Sequence, residues 1–402
     1  MTLLRAARVV TCDAKGTVFE PGAIAWNGEG ITYVGPANTS PDDSETFEHQ
    51  GVVTPGLIDA HTHTPWAGTR HHEYVARVQG ASYQELQAGG GGILSTHRAL
   101  DAAALDDLTA ECTHRLRTML AQGVTTVECK SGYGLHAALE EKQLVALQAV
   151  RAAAGTPTVV PTFLGLHALP KGADRMQYVN DVIANTLPRV AHLARFVDAY
   201  VDSHAFTVAE ARAFANAAKS LGLGVRLHVG QFSDIGGAEL AAELGALSCD
   251  HLEHLSDAGI AAMARSKVAA VILPVARWVL GQKEQPPVEK LRAAGVAMVV
   301  ASDANPGTAP TESLPLAMAM ALRNDGLTPD EIWAGVTRHA ARVLGLQEAI
   351  GTLEVGKVAN VVAWDFSHEH ALLQPWGTSK ASRVWVCGVL KYTQREPSLA
   401  MP

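Results

Sequence analysis

The sequence predicts an α/β protein: a (β/α)8 TIM-like barrel carrying a small β-sandwich domain built from both termini. Three observations lead there. Between residues 55 and 350, eight apolar, β-branched runs alternate with alanine-rich stretches whose apolar residues recur at helical spacing. Residues 1–54 and 351–402 lack that alternation and read as short strands with tight turns. At 402 residues the chain is too long for one small core, but it suits a barrel of about 250 residues with a smaller companion.

The N-terminal part is a meander: LLRAARVVT, a turn at Asp13-Ala14-Lys15-Gly16, AIAWN, a turn at Gly28-Glu29-Gly30, then ITYVG. VANVVAWDF and SRVWVCGVLKYT near the other end have the same character, and chain ends in compact folds often meet, so the two are expected to pair. The eight central strands are VVTPGLIDA, GVTTVEC, TPTVVPTFL, RFVDAYVD, GVRLHV, ALSCD, VAAVILP and VAMVVAS. Helices are predicted over 101–122, 137–154, 207–221 and 312–323. Thr207 with Glu210, and Thr328-Pro329-Asp330-Glu331, are start signals in which side chains take up orphan amides of a first helical turn. A doubly wound open sheet is the rival, but it more usually has about six strands.

Composition removes several function classes. Lys and Arg number 32 against 40 Asp and Glu, a net charge of −8, the wrong sign for a protein that must neutralise phosphates, so no nucleic-acid partner is expected. No apolar run nears the about 20 residues that span a bilayer, and the first residues lack the order of a signal peptide, so no membrane and a cytoplasmic location are expected. The five cysteines are scattered without a C-x-x-C pair and read as reduced, mostly buried thiols.

Seventeen histidines are many for this length, and their placement is informative. Barrel enzymes carry their reacting groups at the C-terminal ends of the strands. Strand one ends Asp59-Ala60-His61-Thr62-His63, and strand alternation turns His61 and His63 the same way. Strand five ends in His228, strand six in His251 and strand eight in Asp303. Imidazoles and a carboxylate suit Zn2+ or iron, and three nitrogens with one oxygen leave a place for water. Apart from His167 on the loop after strand three, the remaining histidines read as surface or structural, with His204, just past strand four, at a place where a ligand could sit.

These residues, with Ser302-Asp303, resemble the amidohydrolase superfamily of metal-dependent hydrolases. Its binuclear members bridge two metals with a carboxylated lysine after strand four. VDAYVDSHAF has no lysine there, which implies the mononuclear branch, and Lys130 after strand two reads as structural or as a contact behind the ligands. A narrower likeness lies in the loops: Ala67-Gly68-Thr69-Arg70, Tyr83 ahead of Gly89-Gly90-Gly91-Gly92, Lys130-Ser131-Gly132-Tyr133-Gly134, Thr162 to Ala168, and Asp303 to Thr308. Together they resemble the imidazolonepropionase family over nearly the whole chain.

That resemblance implies opening of 4-imidazolone-5-propanoate to N-formimidoyl-L-glutamate in histidine degradation. It implies one divalent metal per chain (Zn2+ or Fe2+/Fe3+) on His61, His63, His228 and Asp303, and a homodimer. Asp303 and His251 are expected to handle protons and polarise the ring carbonyl, with His251 as a further ligand the alternative. Arg70, Tyr83, Tyr133, His167, Asn305, Gly307 and Thr308 are expected to bind substrate, Arg70 by a planar fork on the propionate. Gln231 stands where many members have a glutamate, so it can orient a water but cannot act as a base. The glycines at 89–92 lack the G-K-[ST] of a phosphate loop and read as a lid. The alternatives are another mononuclear amidohydrolase, such as a cyclic amidine deaminase, and a non-catalytic barrel scaffold.

Overall fold

The structure is a computed structural model that describes residues 1–42, 45–81, 85–86, 89–374 and 381–394. The first five strands are β1 (Thr2–Val10), β2 (Val18–Phe19), β3 (Gly22–Asn27), β4 (Gly30–Pro36) and β5 (Glu45–Pro55). Eight more follow: β6 (Leu57–Asp59), β7 (Val124–Lys130), β8 (Thr158–Leu166), β9 (Phe196–Val201), β10 (Gly224–Val229), β11 (Ser248–His251), β12 (Ala269–Ile272) and β13 (Met298–Val300). The last three are β14 (Val361–Trp364), β15 (Ala381–Val386) and β16 (Val389–Thr393).

Strands β6 to β13 lie in sequence order, every pair parallel, with helices in the connections. The circle closes just beyond β6 and β13, where Asp303 N donates to His61 O (3.0 Å) and His63 N donates to Ala304 O (2.9 Å). The remaining strands form a second sheet in the order β16-β15-β14-β5-β1-β3-β4, with β2 beside β1. In it β14, from the far end of the chain, runs antiparallel to β5.

VVTPGLIDA is not one strand. Val52–Pro55 belongs to β5 and the terminal sheet, whereas Leu57–Asp59 is β6 and pairs with β7 in the barrel. Both halves are fully buried, so hydrophobicity alone could not separate them. Gly56 makes the changeover, and a Cβ there would collide with the Thr125 side chain.

The predicted helix 101–122 is two helices, Ile93–Ala102 and Leu105–Ala121, broken at extended Ala104, with Asp106 and Asp107 favourably placed in the second helix's first turn. Helices Ala137–Arg151, Val208–Ser220 and Leu314–Met320 fall within the other predicted ranges. Both capping boxes are formed, Thr207 with Glu210 and Thr328 with Glu331.

The terminal sheet packs Leu4, Ile24, Trp26, Ile31, Val53, Val361 and Trp385 into one apolar core. Trp364 on β14 points the other way, into the barrel's outer layer. Its Nε1 donates to Thr54 Oγ1 (2.8 Å), and its ring fills the space that a Cβ on Gly123 would need. All five cysteines are free and four are buried. Among the described residues no helix is long and apolar enough to cross a membrane.

Candidate active site

The barrel strands bring polar side chains inward at every second position, as their pleat requires. Asp59, His61 and His63 share one face, as do Glu128 and Lys130, Asp198 and Tyr200, and Arg226 and His228. Two positions break the alternation. His251 follows inward-facing Asp250, and its backbone turns to φ +88° (Leu252, +79°), bringing its ring within 5.9 Å of His61's and 5.3 Å of His228's. Asp303 has φ +55°. Such conformations cost a non-glycine residue about 1–3 kcal/mol and persist only where the surroundings hold them.

Two overlapping triads of metal-capable donors result, His61 with His63 and Asp303, and His61 with His228 and His251, each with ligand atoms within 4.8 Å of one another. His61 Nε2 lies 3.3 Å from His63 Nε2, and Asp303 Oδ1 lies 3.5 and 3.3 Å from these two nitrogens. Ligands at about 2.1 Å from a tetrahedral ion stand about 3.4 Å apart, so these edges fit a first-row cation. His228 Nε2 and His251 Nδ1 are buried without a hydrogen-bond partner, as expected of nitrogens that face a ligand or an ion.

The ring tautomers are set from below. His61 Nδ1–H donates to Asp250 Oδ2 (2.6 Å) and His228 Nδ1–H to Asp198 Oδ1 (3.0 Å), so both Nε2 lone pairs face the centre. Those acids are held in turn by buried cations. Lys130 Nζ lies 2.8 Å from Glu128 and 2.9 Å from Asp198, and Arg226 donates to Asp250 (2.9 Å) and sits 3.3 Å from Glu128. Lys130 is thus committed to ion pairs beneath the histidines.

Burial disfavours charge on His61, but bonds to Asp250 and Asp303 raise its pKa. His63 has fewer such partners, and burial takes it down to about 4. Burial also holds His167 and His251 well below the usual imidazole range, so both are neutral at physiological pH. Burial works against the Asp303 carboxylate, yet the adjoining His61 and His63 rings keep it well below the usual carboxylate range.

A cavity of about 40 Å3 opens onto this centre, lined by His63, Arg70, Ile93, Tyr133, His167, Tyr200, His228, Gln231, His251, Asp303, Asn305 and Thr308. Of the residues expected to bind substrate, Arg70, Tyr133, His167, Asn305 and Thr308 therefore converge. Tyr83 lies outside the described residues. Gly307 stands behind Arg70: a Cβ there would collide with the guanidinium, so this glycine makes room for the arginine. Arg70 is buried and paired with Glu73 (Nε 3.0 Å, Nη2 2.8 Å), whose other oxygen accepts from Gly92 N (3.0 Å). His204 is exposed and does not line the cavity.

Some functional groups escaped the sequence reading. Tyr200 donates to Gln231 Oε1 (2.6 Å), fixing which end of that amide the cavity sees. Asp198, Arg226, Asp250 and Glu128 also went unread. Their signal was available: charges at alternate positions inside apolar strands have no reason to be there unless they meet in the barrel's interior.

Comparison with known proteins agrees with this architecture. Residues 52–391 match the sequence model of the amidohydrolase family. Curated imidazolonepropionases are similar over most of their length. That of Caulobacter vibrioides strain NA1000 is 46% identical over 378 residues (92% of this chain, 94% of the relative), and that of Bradyrhizobium sp. strain BTAi1 is 44% identical over 379 (92% and 93%). Among solved structures, the zinc-complexed atrazine chlorohydrolase of Arthrobacter aurescens superposes with a TM-score of 0.71 at 19% identity, covering 100% of this chain and 97% of that one. An adenosine deaminase from Xanthomonas campestris with bound zinc gives 0.71 at 19% (98% and 93%). These two establish likeness of fold. With the family match spanning most of its length, this chain belongs to the amidohydrolase family, and within it to the imidazolonepropionases.

Proposed function

We propose that the chain hydrolyses the ring amide of 4-imidazolone-5-propanoate to N-formimidoyl-L-glutamate in histidine degradation, with one divalent metal ion, Zn2+ or iron, on His61, His63, His228 and Asp303. The observation that carries this reading is the meeting, in one cavity, of a metal-capable His/Asp centre with a buried arginine suited to the substrate's carboxylate. A bound cation supplies Lewis acidity, bringing the pKa of a water from 15.7 down to about 7.

The protein's own groups do the rest. Asp303, kept ionised by its histidine partners, takes a proton from the attacking water. The water oxygen bonds to the ring carbonyl carbon, the carbon–nitrogen bond breaks, and the proton held by Asp303 passes to the departing nitrogen. His251, neutral and unpaired at Nδ1, is placed to hydrogen-bond the oxygen on which negative charge develops. Gln231, its Oε1 held by Tyr200, offers its NH2 end to water or the ring.

Arg70 takes the propionate, with Asn305 and Thr308 beside it. His167 donates through Nδ1 to Gly132 O (2.9 Å), so its neutral Nε2 is an acceptor and suits a ring N–H better than a carboxylate. At about 40 Å3 the cavity is a small, water-sized space beside the centre. The family resemblance also leads us to propose a homodimer working in the cytoplasm.

The test is direct. Loss of imidazolone absorbance on adding enzyme, with formimidoylglutamate identified as product and one metal per chain by elemental analysis, is expected. No turnover by metal-loaded protein would end the substrate assignment, and two tightly bound metals would end the mononuclear one.

A further inference from the structure

We propose that Glu140 and Gln143 are positioning residues for the substrate cavity, holding the loop after β7 through four consecutive backbone N–H groups and thereby setting Tyr133 and His167. The proposal rests on reading that cavity as the substrate site.

Both residues are on helix Ala137–Arg151, three positions apart and so on one face, and both are buried. Glu140 accepts from Gly132 N (2.9 Å) and Leu135 N (2.8 Å). Gln143 Oε1 accepts from Gly132 N (3.2 Å), Tyr133 N (3.1 Å) and Gly134 N (3.1 Å). A run of N–H groups turned to one side is a concavity made for anions. Here the chain fills it with its own carboxylate and amide, so it is closed to the substrate's carboxylate, which is left to Arg70.

The backbone is shaped for this. Gly132 has φ +118°, and a Cβ on Gly134 would strike the backbone at Glu140. The clamp also reaches the neighbouring loops. Gln143 Nε2 donates to Pro65 O (2.6 Å), two residues beyond His63, and Gly132 O receives the Nδ1–H of His167 (2.9 Å). Three loops at the barrel mouth are thus tied at one point, and neither Glu140 nor Gln143 is among the residues lining the cavity.

The experiment compares metal-loaded wild type, Glu140→Gln, Gln143→Glu and Tyr133→Phe, with the Glu140→Gln/Tyr133→Phe double variant. Measurements are steady-state kinetics on imidazolone propanoate, metal content, thermal midpoint and amide exchange of residues 132–135. Expected for Glu140→Gln is a KM at least tenfold higher, kcat within threefold, unchanged metal content, and exchange at least tenfold faster in the loop. The KM effects of Glu140→Gln and Tyr133→Phe should be less than multiplicative in the double variant. Gln143→Glu, which keeps the acceptor but loses the bond to Pro65, should raise KM severalfold.

A lower thermal midpoint with KM unchanged would overturn the proposal, as would unaltered exchange. If Glu140→Gln does not fold, an unchanged KM in Gln143→Glu overturns it instead. A wild type that never turns over the substrate defeats the functional reading, and the exchange rates still decide whether the clamp holds the loop.

Discussion

The core of the terminal sheet and the barrel interior beneath the histidines are equally closed to water and differ in chemistry. In the first, Trp26, Trp385 and their aliphatic neighbours make an apolar core, with the Trp26 and Trp385 rings edge to face at 5.6 Å. In the second, Glu128, Lys130, Asp198, Arg226 and Asp250 are all 0% exposed. Burying ions costs several kcal/mol each, and an apolar filling of the same volume is often as stable or more so. A barrel interior needing only stability would resemble the terminal sheet. The difference teaches that the ionic layer is there for what sits above it: it sets the His61 and His228 tautomers, and with Asp303 it places four acids against two bases beside the proposed cation.

Substitutions test that contrast. The largest effect is expected at His251, above the ionic layer: His251→Asn should lower kcat by about 10²–10⁴-fold with metal content intact. Metal lost in proportion to activity would instead make His251 a ligand. Within the layer, Lys130→Met takes the ammonium from Glu128 and Asp198, leaving the first to Arg226 and the second to His228. About 3–5 kcal/mol of stability should go, by denaturant titration, together with about 10–100-fold in metal affinity by competition with a chelator. Trp364→Ala should cost a similar about 3–5 kcal/mol in the apolar outer packing while leaving metal affinity alone. Equal metal losses in both variants would mean that the two interiors do not differ in what they support.

A smaller effect is expected at Arg70. Arg70→Met should raise KM by tens of fold, about 2–3 kcal/mol for a charge-assisted pair, with little change in the fold. An unchanged KM would remove Arg70 from the substrate site and leave it a structural role. The smallest signal comes from protons. In metal-free protein the His63 imidazole should titrate near 4 by NMR, against about 6.5 in an unfolded chain. Because the folded pKa is depressed, the unfolded chain binds the proton first, and metal-free stability should fall as pH drops from about 6.5 through 4. A midpoint near 6.5 would mean that water reaches the ring.

Much of this was legible in the sequence. His61 and His63 two apart, His228 and His251 at strand ends and Asp303 at the last could be read from strand periodicity, because an inward-facing polar residue at a strand's end leaves a regular mark. Three features were hidden for physical reasons. VVTPGLIDA reads as one strand because hydrophobicity reports burial, not which sheet does the burying. Arg70 was expected to await a carboxylate, but Glu73, three residues on, already lies along its guanidinium, a pairing that only the helix after Arg70 reveals. The clamp on Gly132–Leu135 joins side chains to backbone amides, and residue identity says little about which amides lack a partner.

The ribbon from Glu45 to His63 serves both sheets without a spacer, and this bears on how the enzyme is assembled. β5 acquires its β14 neighbour only when Val361 pairs with Pro55, about 300 residues later in synthesis. Until then the strand leading to His61 and His63 is moored on one side only, and closing so long a loop is slow. A strand synthesised about 300 residues later therefore secures the one that leads to His61 and His63, and a chain cut short before β14 would release that anchorage rather than merely lose an appendage.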